Sequence, residues 1–290
     1  MGWHNTNFDR RMLHHNFFRN NRYPYITHVS PNQEHDGLHI ARAAQTLNPE
    51  TLKTELTDAG NPSLALESLA RMQGFDTSAS HTAYADAYNS LMILRIIKNK
   101  HKDNWETFLK TSTKASVETL LKREGIYSIF ENVKGRNMMY LACTLHPNHC
   151  FHERYESWGY LWDCRRNPEP FLDLSVNQLR DTLKNFSPKA LRVLKTNKAP
   201  IVLDKEFALK QKPYSDLELS TILKRAKMVR ENEKFCKNIQ IINREIADEK
   251  EQTKSQEDIV QEETLYEKFI PNKDTALFKT WHNSSWEDKL

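Results

Sequence analysis

The sequence is poor in glycine, with only seven in 290 residues, so no glycine-rich phosphate loop is hidden in it. No stretch approaches the roughly 18 consecutive apolar residues that a membrane-spanning helix requires. Its four cysteines (Cys143, Cys150, Cys164, Cys236) lie at spacings unlike a disulfide scaffold, in a chain too large to need one. A reducing, cytoplasmic setting is therefore expected. The opening MGWHNTNFDRR has no apolar core and does not read as a signal peptide. Charge of one sign is also scarce: 42 basic residues against 38 acidic ones leave a net +4. That mild basicity is compatible with a nucleic-acid partner and proves none.

Apolar residues make up 38% of the chain and charged ones 28%. There is material for real cores, diluted by exposed helices or linkers. The length has room for about two domains. The most informative stretch is Ser80–Lys98, SHTAYADAYNSLMILRIIK. Ser80 or Thr82 can cap a helix, and Ala83, Ala87, Leu91 and Leu94 recur at helical spacing. From Leu91 to Ile97 only Arg95 interrupts the apolar residues, which predicts burial on more than one side. Five helical residues turn about 500°, so His81 and Asp86 would diverge by about 140° on one regular helix. To face one site, His81 must sit in the turn before the helix and Asp86 in its first turns. That arrangement suits an acid–base pair near a metal; a capping-turn histidine and a solvated aspartate fit the same spacing.

In chain order, Asn5 can cap a helix carrying Phe8, Met12, Leu13 and Phe17, with Asp9 in its first turns where the helix dipole favours a carboxylate. Helices are expected over Asp36–Thr46 and Ser63–Gly74, the latter closed by its glycine. Asp103–Glu124 reads as one further helix. Short β-like runs then follow at Ile126–Phe130, Met138–Thr144, Trp158–Trp162, Phe171–Leu174, Leu191–Leu194 and Ile201–Leu203, with Val176–Leu183 as an inserted helix. They predict a small barrel or curled sheet over roughly 126–203. Asp216 to about Glu251 reads as one long charged helix, and Glu249–Glu263 as a solvated helix end or linker. The tail from Leu265 holds Tyr266, Phe269, Phe278, Trp281 and Trp286 and is too apolar to be left disordered.

Two clusters invite chemistry. CTLHPNHCFH at 143–152 crowds His146, His149, Cys150 and His152 together, with Cys164 nearby. Structural zinc sites usually show two separated ligand pairs, so a polar hairpin loop is preferred here. At Lys98–Lys110, KNKHKDNWETFLK, the residues Lys98, Lys100, Lys102 and Trp105 could grip phosphates and stack a base. A solvated helix start with a core-facing Trp105 fits equally well.

The pair HNTNFD at 4–9 and HTAYAD at 81–86, some 75 residues apart with LALESL between them, resembles the second and third motifs of DEDDh exonucleases in the ribonuclease-H-like superfamily. The nearer resemblance is to bacterial exonuclease I (exodeoxyribonuclease I). GWHNTNFDRRMLHHNFFRN, the helix at 36–43, SLALESLARMQGF, LHPN near 145 and TNKAPIVL at 196–203 all look like that family. The resemblance implies an α+β chain. Residues 1–102 would be part of a DEDDh exonuclease domain, largely helical. Residues 103–215 would be an SH3-like β-barrel domain, and 216–290 a long helix, linker and start of a helical domain. It also implies 3′→5′ hydrolysis of single-stranded DNA in repair or recombination. Asp9 and Asp86 would be metal-linked carboxylates, His81 the general base, and two Mg²⁺ ions about 4 Å apart would clamp the phosphodiester. A histidine suits that role, since its ordinary pKa of about 6.5 lets it accept a proton at neutral pH. Asn5, Lys98, Lys100, Lys102 and Trp105 are the candidate strand contacts. Single-stranded DNA, single-strand-binding protein and a separate N-terminal fragment are the implied partners, with no membrane.

The family's first motif, Asp-x-Glu on an early strand, has no match here. At most trace hydrolysis is expected of this chain alone, and an upstream segment bearing that motif is expected before Met1. Asp36 and Glu67 are the next candidate ligands. Two other readings remain: a non-catalytic remnant binding single strands or single-strand-binding protein, and a helical scaffold with an interaction barrel.

Overall fold

The computed structural model describes residues 6–29, 31–123, 125–252 and 270–289. Asn5, Tyr266 and Phe269, singled out above, lie outside them. Six helices come first: α1 (Thr6–Arg19), α2 (Gly37–Leu47), α3 (Leu66–Met72), α4 (Ala83–Lys100), α5 (Trp105–Leu109) and α6 (Lys114–Lys122). Asp36 caps α2 by accepting the Leu38 N–H at 2.9 Å. Gly74, at φ 80°, takes the left-handed position that ends α3. The apolar sides of α2–α5 meet in one core of Ile40, Ala44, Leu69, Ile93, Ile97 and Phe108, closed by Ile201 and Leu203 from later in the chain.

The expected single helix over Asp103–Glu124 is two. Thr111 leaves the helical path to donate its hydroxyl to the Pro200 carbonyl at 2.5 Å. Thr113 then restarts the chain with a capping box to Ser116. Tertiary pairing overrode an apolar periodicity that ran through the break.

Five antiparallel strands follow: β1 (Ile126–Val133), β2 (Arg136–Thr144), β3 (Trp158–Asp163), β4 (Leu191–Lys195) and β5 (Val202–Asp204). Their order is β4-β3-β2-β1-β5, so β4 and β5 stand at opposite edges. No closed barrel forms among the described residues; the sheet is open. The three-residue β5 pairs only with β1 and runs straight into α9 (Lys205–Leu209), too short to reach the far edge. Lys134 and Gly135, both at positive φ, make the two-residue β1–β2 turn that matches strand twist.

The Phe171–Leu174 run is not a strand. Pro168 and Pro170 start the short helix α7 (Glu169–Leu172), where a missing N–H costs nothing. It leads into α8 (Val176–Asn185), then α9, α10 (Leu219–Glu231), α11 (Glu233–Gln252) and α12 (Asn272–Asn283). The long helix expected from Asp216 breaks at Asn232, whose side chain accepts the Phe235 N–H at 2.8 Å. A capping asparagine inside a charged run thus starts a second helix.

β2 is buried on both faces. Met139, Leu141 and Cys143 point to a core shared with α8, α10 and α11, whereas Tyr140 and Ala142 meet Val117 and Leu121 of α6. Trp162 is fully buried among the first set, edge-on to Phe171 and Phe235, and its indole N–H donates to the Arg166 carbonyl at 3.0 Å. Asp163 is buried as well, held by the Tyr214 hydroxyl at 2.9 Å and the Arg165 N–H. No helix among the described residues is long and apolar enough to cross a membrane.

Trp162→Ala is expected to cost about 3–5 kcal/mol, read from urea unfolding, because the cavity lies between a sheet and two helices. A cost below about 1 kcal/mol would show that this core collapses freely. Burial also lowers the pKa of His35, His39, His101 and His152 from the ordinary value. The unfolded chain therefore takes up protons first as pH falls through about 6.5, and stability rises with pH across that window. Thermal unfolding should shift downward between pH 7.5 and 5.5. His101→Gln, at a ring bonded to the Thr51 hydroxyl at 2.7 Å, should flatten part of that slope. An unchanged slope would place the effect on other groups.

Candidate active-site cleft

Thr82 caps α4 by accepting the Ala85 N–H at 3.3 Å, so the helix begins two residues after His81. His81 itself stands in the turn at φ 70°, a left-handed position in which histidine is over-represented among residues other than glycine. Its backbone N–H donates to Asp86 Oδ1 at 3.3 Å, tying the turn to the first turns of the helix. This is the geometry that the five-residue spacing required. The other end of α4 is anchored by the buried Ile93, Leu94 and Ile97. The histidine side chain is mostly exposed, whereas the carboxylate is seated on the helix.

A cleft of ≈ 1220 Å³ opens beside this turn. Asp9 and Arg10 of α1, Glu67 of α3, and His81 and Asp86 all line it, together with Leu13, Ile26, Leu38 and Leu64. The three residues expected to carry chemistry, Asp9, His81 and Asp86, therefore share one cavity. Leu13 and Ile26, at 39% and 45% exposure, give it an apolar flank open to solvent. Arg10 is bonded to Glu34 across the same wall at 2.9 Å.

Glu67, held in reserve as a candidate ligand in the sequence, reaches the His81 ring. Its Oε2 lies 3.4 Å from His81 Nε2, and its Oε1 3.7 Å from Arg71. The signal was present: the one acid in the mostly apolar LALESL run, on the helix packed against α4. Asp36, the other reserve candidate, serves as the α2 cap; burial lowers the pKa of Arg42 and His39, and the Asp36 charge opposes that shift in both.

The basic candidates lie elsewhere. Lys98 is twelve residues along α4 from Asp86, ~18 Å by helical rise. Its ammonium sits 5.9 Å from the centre of the Trp105 ring, and Lys100 donates to the Glu50 carbonyl at 2.6 Å. Lys102 is exposed. Trp105 is 8% exposed within the helical core, so its ring is not offered to a base, and the core-facing reading of that tryptophan is the one realised. Asn5 lies outside the described residues.

In kind, the donors suit a hard divalent cation. Such ions are commonly held by one or two carboxylates, with water and substrate phosphates completing the shell. Asp9, Asp86 and Glu67 supply carboxylates to one open cleft, as that pattern needs. Among the described residues, the only three ligand side chains gathered within 4.8 Å of one another lie elsewhere, at His146, His149 and Glu233.

No family model matches the chain. In sequence it is 26% identical over 213 residues to exodeoxyribonuclease I of Haemophilus influenzae, across 70% of this chain and 45% of that protein. In fold it superposes on a zinc-bound E. coli ExoI–ssDNA complex with a TM-score of 0.71, at 20% identity, over 98% of this chain and 61% of that one. An ExoI/SSB-Ct complex gives the same TM-score and identity over 98% of this chain and 60% of that one. The chain thus spans about half the length of the curated relative, is similar to exodeoxyribonuclease I in sequence, and has the exonuclease I fold.

Proposed function

We propose that this chain carries part of the machinery of a 3′→5′ exonuclease acting on single-stranded DNA, with the cleft beside His81 as the place where the 3′-terminal phosphodiester is cut. The observation that supports it most is the meeting of Asp9, His81 and Asp86 in one cavity, two carboxylates and an imidazole from motifs some 75 residues apart. Exodeoxyribonuclease I of H. influenzae and the E. coli ExoI–ssDNA complex supply the reaction and the strand.

In this reading Asp9 and Asp86 hold the divalent cation, Mg²⁺ being the ion their oxygens suit. When bound, the cation supplies charge for the developing phosphorane oxygens and lowers the pKa of water. The chain's own part is proton handling and position. Glu67 orients the His81 ring through Nε2, which leaves Nδ1 to take a proton from the attacking water. The left-handed turn is tied to Asp86 through the His81 N–H, and both residues line the cleft. Apolar Leu13 and Leu64 offer the terminal nucleotide a dry wall. Lys102 is the basic candidate left to meet phosphates further along the strand. The SSB-Ct partner of the ExoI complex is proposed here too, with a cytoplasmic setting. A non-catalytic strand binder is the second reading, since no Asp-x-Glu motif is matched in this sequence.

The test is anisotropy of a labelled oligo-dT whose 3′-terminal linkage is a phosphorothioate, with and without Mg²⁺. The expectation is salt-sensitive binding, severalfold tighter with Mg²⁺, and loss of that increment in Asp86→Asn. Binding indifferent to Mg²⁺ and to Asp86→Asn would replace the catalytic reading with the non-catalytic one. Absence of binding at low salt would remove both.

A further inference from the structure

The loop that follows β2 carries His146, His149, Cys150 and His152, and the fold sorts these residues. Cys150 is buried and its thiol donates to the Pro147 carbonyl, with burial pushing its pKa up to about 11. His152 is spent internally: its Nδ1 accepts the Arg154 and Tyr155 N–H groups, and its Nε2 reaches the Asn243 carbonyl at 3.1 Å. Cys164 lies in the core beside Cys143. His146 and His149 remain, and the start of α11 brings Glu233 to them.

The surroundings of His149 are unusual for a neutral imidazole. Its Nδ1 lies 2.8 Å from Gln240 Oε1, and its Nε2 lies 3.3 Å from Glu233 Oε1. The Gln240 amide is not free to turn over, because its Nε2 donates to the Phe151 carbonyl at 3.1 Å. The ring therefore faces an acceptor oxygen on each side, and a neutral imidazole has one proton to offer. Either the ring carries two protons, or a cation stands between Nε2 and the carboxylate. The second imidazole decides between them. His146 is 5.8 Å from His149, centre to centre, which a simple imidazolium–carboxylate pair would not require. Glu233 and Gln240 are two turns apart on one face of α11, so a single helix supplies both the acid and the group that fixes the His149 tautomer.

We propose that His146, His149 and Glu233 form a transition-metal site for a Zn²⁺-class ion, separate from the cleft. Two imidazoles and a carboxylate make a three-ligand set with a fourth position for water. Imidazole nitrogens select Zn²⁺, Ni²⁺ or Cu²⁺ over Mg²⁺. Binding through His146 Nε2 moves that ring's proton to Nδ1, which releases a long 3.3 Å bond from the Asn148 N–H. The bound ion would pin the β2–β3 loop to a helix that starts 84 residues after His149.

The test is calorimetric titration of Zn²⁺ into the full chain carrying Asp9→Asn, Glu67→Gln, His81→Gln and Asp86→Asn, so that the cleft's candidate ligands are removed. One Zn²⁺ per chain is expected, undisturbed by excess Mg²⁺. Glu233→Gln, at an exposed carboxylate where folding is not at stake, should weaken it about tenfold or more, and Gln240→Leu by about as much. Co²⁺ should give the visible absorption of a four-coordinate ion, lost in His149→Ala. No Zn²⁺ uptake, or uptake that Glu233→Gln and His149→Ala both retain, would overturn the site and leave a protonated His149 paired with Glu233.

Discussion

Burial of β2 on both faces is the constraint from which most of this architecture follows. From Met139 to Thr144 every residue is shielded from water, so the sheet needs cover on each side. Side chains alternate across the strand, and the chain meets the demand with α6 on one face and α8, α10 and α11 on the other. The helical half depends on the same sheet less directly. Ile201 and Leu203, flanking and within β5, complete the core of α2–α5, so the edge of the sheet is also the floor of the helices that carry the cleft.

The cleft inherits its rigidity from that arrangement. α4 is clamped by Ile93, Leu94 and Ile97 at one end, and its N-terminus projects Asp86 into open space. His81, itself left-handed, ties its backbone N–H to that carboxylate in the turn before the helix. In the proposed reading, this separates two requirements that catalysis would place on one site: a fixed anion and a ring exposed to exchange a proton. Glu67 joins them, since it reaches His81 from a neighbouring helix packed in the same core.

Much of this was legible from spacing alone. The Asp36 cap, the glycine that ends α3 and the placement of His81 before α4 all follow from local rules that the tertiary structure leaves intact. All five strands could be read from their apolar and aromatic runs. The misreadings share a cause: short apolar runs have no period of their own. Phe171–Leu174 became a helix because two prolines preset its first turn. The helices at 103–124 and 216–251 broke where Thr111 and Asn232 found partners that periodicity does not register. The barrel failed because closure is a property of strand length and edge pairing, not of strand count. Trp105 had two readings in sequence, and only packing could choose the buried one. Glu233 was beyond reach, since nothing local connects it with a histidine loop 84 residues earlier.

The central claim is that His81 and Asp86 flank one cation-binding point. It is tested most directly by titrating Mn²⁺ into the protein and following the histidine ring resonances. Paramagnetic broadening of the His81 ring should appear early and vanish in Asp86→Asn, while any broadening at His146 and His149 should persist there. His81 signals broadened no sooner than those of other exposed histidines, or broadened equally in Asp86→Asn, would contradict it.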